Sequence, residues 1–244
     1  MPEGPSIVLL KQAVIHFSGE KVTAASGNTK KIDIQLLEGK KISSFRSWGK
    51  HFLICFEEFT IRIHFLLFGT YRINEKKESP PRLHLKLESG ELNFYGCAIE
   101  KIIKPIDEVY DWAADIMSND WDEQKAFQKL KSQPDLLACD ALLDQNIFSG
   151  VGNIIKNEVL YRIAVHPLNR VGNLPDEKLI AMINEAVIYS FQFLEWKKEY
   201  TLKKHWLVHT KTQCPVGHGL LKKEYLGKTK RRTFFCEQCQ MLFT

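Results

Sequence analysis

No stretch of this chain is apolar for long enough to cross a bilayer. No basic leader followed by an apolar run marks a secretory signal. There is no internal repeat and no low-complexity segment. These absences lead us to expect an intracellular globular protein. Cysteine is sparse, six in 244 residues, and charge of one sign hardly dominates, with a net +5. Apolar residues make up 44% and charged residues 26%. That is a folding composition rather than a disordered one, and the length suits one large domain or two modest ones.

What charge there is lies unevenly. From Trp196 onward there are eleven basic residues and three acidic ones, so the tail is cationic and the remainder slightly acidic. A basic segment of this kind fits a polyanion partner, nucleic acid above all, although a lysine-rich surface can also be merely solvated. The cysteines are uneven too. Cys55, Cys97 and Cys139 are isolated in apolar surroundings and read as buried thiols. Cys214, Cys236 and Cys239 crowd the C-terminus around His218. In an intracellular chain such crowding favours a metal over disulfides.

Residues 5–17 read as a helix with proline tolerated at its start. Six strand-like runs follow: KIDIQLL, KISSFRSW, HFLICF, TIRIHF, RLHLKL and ELNFY. Their spacing suits a sandwich or barrel. EKKESPP at 75–81 is a loop. Beyond Pro105 the period becomes helical, in DEQKAFQKLKSQ, LLACDALLDQ and the long amphipathic run 175–196.

The C-terminal ligands are spaced Cys214-x3-His218-x17-Cys236-x2-Cys239. Three thiolates and one imidazole make a closed, structural zinc site. The CPVGH half is one residue longer than usual, which keeps His209 as a rival fourth ligand. Between the half-sites, LLKKEYLGKTKRRTFF reads as a β-hairpin turning at Gly227. It would present Lys228, Lys230, Arg231 and Arg232 as a cationic ribbon. In the middle of the chain, GVGN at 150–153 separates two helical stretches. Such a glycine turn can be a packed corner, or it can seat a phosphate at a helix start.

The extreme N-terminus poses its own question, since MPEGP puts an acid, a glycine and two prolines where disposable residues usually stand. They are either a lead-in to the first helix or, with Met1 removed, a free secondary amine beside Glu3.

Three motifs together decide it: PEGP at 2–5, LLDQNIFSGVGN at 142–153 and RRTFFCEQCQ at 231–240. In this order they closely resemble the formamidopyrimidine-DNA glycosylase/endonuclease VIII family, with its N-terminal proline, helix–two-turns–helix and zinc hairpin. The resemblance implies an α+β fold. An N-terminal helix and β-sandwich would occupy 1–112, a helical domain 113–205, and a zinc β-hairpin 206–244. It implies a bifunctional DNA glycosylase/AP lyase of base excision repair. Pro2 would be the nucleophile, Glu3 the acid and Lys50 (in SWGKHF) a catalytic lysine. Asn153 and Arg231 would clamp phosphates. Zinc would be held by Cys214, His218, Cys236 and Cys239. Damaged DNA is the implied partner. A monomer in the cytoplasm of a bacterium is the expected setting.

The chain departs from the family at Ser6, where a glutamate is common, and Glu158 is a candidate to support the site instead. Leu66, Leu67 and Phe68 match the consecutive wedge triplet of the endonuclease VIII branch, though without the resemblance they would read as core. The purine-excising branch carries an arginine and a phenylalanine after a Tyr-Asp-Pro-Arg-Arg-like sequence, and FYGCAIEK has neither. It also carries a long loop before its zinc finger, for which 193–214 looks too short. PEGP rather than Pro-Glu-Leu-Pro points the same way. The expected substrates are therefore oxidised pyrimidines and abasic sites. The alternatives are an oxidised-purine glycosylase of the same family and a non-catalytic, zinc-containing DNA-binding protein.

Overall fold

The computed structural model describes residues 2–244. The chain divides into two compact units, Met1–Asp111 and Trp112–Thr244. No helix among the described residues is long and apolar enough to cross a membrane.

The first unit opens with α1 (Gly4–Val14), with Pro5 in its first turn, where its missing N–H would have had no partner. Ile7, Leu10 and Val14 fall on one face and are buried. Six strands follow: β1 (Ala24–Ser26), β2 (Ser44–Trp48), β3 (His51–Cys55), β4 (Thr60–Ile73), β5 (Leu83–Lys86) and β6 (Glu91–Ile102). They form an antiparallel sheet in the order β1-β5-β6-β4-β3-β2. β3 and β6 are not neighbours, yet the rings of Phe52 and Phe94 lie 5.9 Å apart. In a flat sheet, strands two places apart are separated by about 9.5 Å. The two rings thus lean toward each other across β4 in the aromatic core of a sandwich-like layer, which α1 covers against β2 and β3. A short helix, α2 (Ile106–Val109), leads out.

One expected strand is absent. KIDIQLL does not extend. Residues Ile34–Leu37 form a 3-10 turn, because the Asp33 carboxylate accepts the Gln35 N–H at 3.1 Å and caps it. A capping aspartate competes with strand geometry at the point where alternation alone suggested a strand.

The second unit contains α3 (Glu123–Lys131), α4 (Ala138–Ala141), α5 (Asn153–Arg162), α6 (Asp176–Lys198) and the hairpin β7 (Lys222–Leu226)/β8 (Arg231–Phe235). The helical run expected over 136–145 shortens to the four residues of α4. After it the chain makes hydrogen-bonded turns through Asp144, Phe148 and Val151. Gln145 ties them together: its Nε2 donates to the Leu143 and Val151 carbonyls, and its Oε1 accepts the Gly150 N–H. Gly150 needs φ +102°, which only glycine adopts readily. α5 and α6 bury Ile155, Val159, Leu160, Leu179, Met182, Ala186, Tyr189 and Phe193 in a core separate from that of the sheet.

Candidate functional site

In the first unit, Pro2 and Glu3 stand directly before α1, with Glu3 as its N-cap. Glu3 is 4% exposed, a rare degree of burial for a carboxyl group, and Ser6 is buried one turn later. The Ser6 N–H donates to the Glu3 carbonyl at 2.8 Å. Lys50 lies in the two-residue turn joining β2 to β3, the strands α1 packs against. Gly49 turns the chain there with φ +50°. Two imidazoles lie beside it. His51 is held down to about 3, chiefly by burial and then by Arg62, His64 and Lys50. His64 is also lowered, mainly by burial, and its Nδ1–H donates to the Lys50 carbonyl at 3.3 Å. Both rings are therefore neutral near pH 7 and add no cation next to Lys50.

The Leu66–Phe68 triplet is not core. Ile61, Ile63 and Phe65 alternate inward along β4, and continued alternation would bury Leu67. Instead Leu66, Leu67 and Phe68 are 51%, 59% and 85% exposed. The register gives the reason. Phe65 pairs with Cys97 and Thr70 with Tyr95, so β4 takes five steps where β6 takes two, and three residues loop out. Gly69 and Gly96 allow this. A Cβ on Gly69 would lie 2.7 Å from the Gly96 carbonyl, and Gly96 itself has φ +57°. The glycines bring two backbones together under an apolar tip of three side chains.

In the second unit, four donor atoms converge. The ligand atoms of Cys214, His218, Cys236 and Cys239 all lie within 4.8 Å of one another. Sγ of Cys214 is 3.6 Å from that of Cys239, and His218 Nδ1 is 3.1 Å from Cys239 Sγ and 3.8 Å from Cys236 Sγ. A tetrahedral zinc–thiolate centre spaces its sulfurs by about 3.8 Å. The donor set and its spacing therefore fit that ion, with the Tyr161 hydroxyl 3.8 and 3.7 Å from the sulfurs of Cys214 and Cys239. His209 is not part of the cluster. It is buried between Trp206 and Phe234, its Nδ1 pairs with the Asn157 amide at 3.0 Å, and burial first, then Lys156 and Arg232, hold it down to about 4.

Asn153 is the first residue of α5. Its Nδ2 donates to the Arg232 carbonyl at 2.8 Å, which binds the helix start to β8 one residue from Arg231. An amide nitrogen carries two hydrogens, so one remains for a ligand. Arg231 is half-buried on β8 and Arg232 is exposed. Three residues that sequence reasoning missed complete this junction. Lys156, fully buried, donates from Nζ to Thr233 Oγ1 at 2.7 Å. Asn157 Oδ1 accepts the Phe234 N–H at 3.3 Å. Asp140 accepts the Lys228 N–H at the hairpin turn. A helical stripe of polar residues in NIIKNEVLY, at 153, 156 and 157, was the available signal. Glu158, the candidate to support the active site, holds the backbone at 207–209. Its carboxylate accepts the N–H groups of Leu207, Val208 and His209 at 2.8, 3.0 and 2.7 Å. Burial raises its pKa and these three amides oppose that rise.

The comparisons with known proteins fall on both units. The formamidopyrimidine-DNA glycosylase N-terminal domain matches residues 1–96, and the helix–two-turns–helix domain of the same enzyme matches 112–192. Bovine endonuclease 8-like 2 is 37% identical over 198 residues, 74% of this chain and 58% of that protein. Mouse endonuclease 8-like 3 is 28% identical over 85% of this chain and 36% of that protein. The chain thus spans about half the length, or less, of these curated relatives. Among solved structures, Lactococcus lactis formamidopyrimidine-DNA glycosylase bound to abasic-site DNA superposes with a TM-score of 0.84 at 21% identity, over 98% of this chain and 99% of that one. The fold is that of a DNA glycosylase of this type. The chain belongs to the formamidopyrimidine-DNA glycosylase/endonuclease VIII family. The relatives named are animal proteins, and the expected bacterial origin finds no support in them.

Proposed function

We propose that the chain is a bifunctional DNA glycosylase/AP lyase acting, as a monomer, on oxidised pyrimidines and abasic sites in damaged DNA. The observation that carries this reading is the pairing of Pro2 with a buried Glu3 at the head of α1, inside the segment that matches the glycosylase N-terminal domain. Removal of Met1 turns the Pro2 nitrogen from an amide into a secondary amine. An α-amine has a pKa of about 8, so a useful fraction is neutral near pH 7. Its lone pair forms a bond to the sugar C1′ while the C1′–base bond breaks, and the base leaves with that electron pair and a proton. Glu3 then protonates the ring oxygen, so the sugar opens and an iminium ion forms at Pro2. The iminium is an electron sink. It acidifies the adjacent C2′ position, and β- and then δ-elimination release the 3′ and 5′ phosphates. Lys50 assists from the β2–β3 turn.

Asn153 and Arg231 grip the phosphates, and the Leu66–Phe68 tip enters the stack where the lesion has been turned out. Its exposure and apolar chemistry suit that role, and three consecutive wedge residues at 66–68 are what the preference for pyrimidines over purines rests on. Zinc, held by Cys214, His218, Cys236 and Cys239, supplies a structural cross-link between the two ends of the hairpin and takes no part in the chemistry.

Borohydride reduction tests the central step. Protein with Pro2 at its N-terminus is expected to be trapped covalently on an abasic-site duplex. Protein retaining Met1 should bind that duplex equally but escape trapping. Equal trapping of both forms would make another amine the nucleophile, Lys50 first. Excision rates on thymine glycol and 8-oxoguanine duplexes decide the substrate class.

A further inference from the structure

α6 ends on a capping turn of the kind glycine usually serves. The Tyr200 N–H donates to the Lys197 carbonyl at 3.2 Å and the Thr201 N–H to the Trp196 carbonyl at 2.8 Å. These are the paired bonds of a Schellman cap. The residue at its centre must take up left-handed backbone, and Tyr200 has φ +59°. Glycine or asparagine fits there, whereas a bulky side chain is strained. Tyr200 is nevertheless 95% exposed, so its ring gains almost no packing within the chain in return. A strained backbone and an unpacked aromatic at one residue point to a partner outside the chain.

The surroundings identify its chemistry. Lys203 and Lys204 follow in an exposed 3-10 turn. Lys197, in the last turn of α6, is half-buried, and Lys198 is paired with Glu195 at 2.7 Å. The loop is held rigid. The Lys204 N–H donates to the Thr201 carbonyl, the rings of Trp196 and His205 stack in parallel at 4.1 Å, and Glu158 fixes residues 207–209 just beyond. An exposed, preorganised aromatic beside two solvated cations is the pattern of a nucleic-acid strand site.

We propose that Tyr200, Lys203 and Lys204 form a second nucleic-acid contact, in which the Tyr200 ring stacks on an unpaired base and the two lysines meet the flanking phosphates. Base faces inside a duplex are covered by their neighbours, so a ring on a protruding turn reaches a face only where the strand is open. The site rests on the reading of this chain as DNA-binding, and it gives the protein a hold on single-stranded regions apart from Asn153 and Arg231.

Three variants of the full chain test it, with fluorescence anisotropy on an undamaged single-stranded oligonucleotide and on its duplex, and with melting curves. Tyr200→Gly should relieve the backbone and raise Tm by about 3 °C. It should also weaken single-strand binding about tenfold and leave duplex binding within about twofold. Tyr200→Phe keeps the ring and should keep the affinity. Arg231→Ala should weaken duplex binding. Unchanged single-strand affinity in Tyr200→Gly, with Arg231→Ala still impaired, overturns the site and leaves the functional reading standing. If neither variant loses affinity, the DNA-binding reading fails with it. A fall in Tm for Tyr200→Gly would show that the ring packs in the fold and would overturn the inference.

Discussion

Replacing Leu67 with alanine separates a wedge from a core residue by magnitude. Full burial of a leucine side chain contributes about 1.5–3 kcal/mol. Leu67 is 59% exposed, so roughly two fifths of that, about 0.6–1.2 kcal/mol, is at stake in folding. Phe65, two residues earlier on the same strand, is 2% exposed, and its replacement by alanine should cost about 3–5 kcal/mol. At about 4 °C per kcal/mol for a unit of this size, Leu67→Ala should lower Tm by about 2–5 °C and Phe65→Ala by more than about 10 °C. Excision should move the other way. Single-turnover release of thymine glycol from a duplex should slow at least about tenfold in Leu67→Ala, because each extruded base leaves a gap that the side chain no longer fills. Affinity for undamaged duplex should stay within about twofold, since no phosphate contact is touched. A Tm loss as large as that of Phe65→Ala would show that the three-residue bulge is not how the chain folds in solution. Unchanged excision with a small Tm loss would leave the bulge standing and remove its role.

Chelation of zinc should lower DNA affinity by releasing the hairpin, while the first unit, which has its own core, melts unchanged; purified protein without zinc would refute the site. The His51 ring, with its pKa held near 3, should stay neutral at pH 5. Below pH 6.5 the unfolded chain takes up a proton there that the folded chain refuses, so stability falls as the pH falls, by about 1.6 kcal/mol between pH 6.5 and 5 from this group, and a nitrogen NMR titration showing a charged ring at pH 5 would contradict it. Glu158→Gln leaves fewer acceptor positions for the three amides of 207–209 and should cost about 1–3 kcal/mol, with faster hydrogen exchange at those amides; unchanged protection would show that the carboxylate is not what holds the loop.

The parts of this molecule that were readable in the sequence are those where local chemistry and tertiary structure agree. Period-2 patterning located most strands of the sheet, and Gly227 marked the hairpin turn, where it now has φ +75°. Ligand spacing pointed to a metal cluster but left His209 beside His218, and the fold brings His218 to the three cysteines. What was not readable depends on partners distant in sequence. Alternation in β4 says nothing of the slip against β6 that expels Leu66–Phe68, because the slip is set by Gly69 meeting Gly96 across the sheet. β1 is too short to show a period and exists by pairing with β5. The residues 136–145 are periodic enough for a helix, yet they are turned by side chains such as Gln145 that bind backbone groups up to six residues away. Glu158 stood as a candidate to support the site because the N–H groups that its carboxylate accepts lie some fifty residues further on.

α5 links these levels. One helix has to bury Ile155, Val159 and Leu160 in the helical core, which fixes its rotation. That rotation carries Asn153, Lys156 and Asn157 onto the face that meets β8. Each gives its side chain to a different hairpin residue, Arg232, Thr233 and Phe234 in turn, so helix and strand are matched over three successive positions. Lys156 is the demanding member. Burying an ammonium group is costly unless it is bonded, and its Nζ donates to Thr233 Oγ1, so a slip of the hairpin by one residue would take this bond from a buried charge. Register errors therefore cost a charge-assisted hydrogen bond as well as the neutral ones beside it. Zinc would join the two ends of the hairpin to each other, while this buried lysine and its neighbours, with Asp140 at the hairpin turn, set where the ribbon stands against the helices. The position of Arg231 relative to Asn153 follows from that register, and with it the spacing of the two groups assigned to the phosphates.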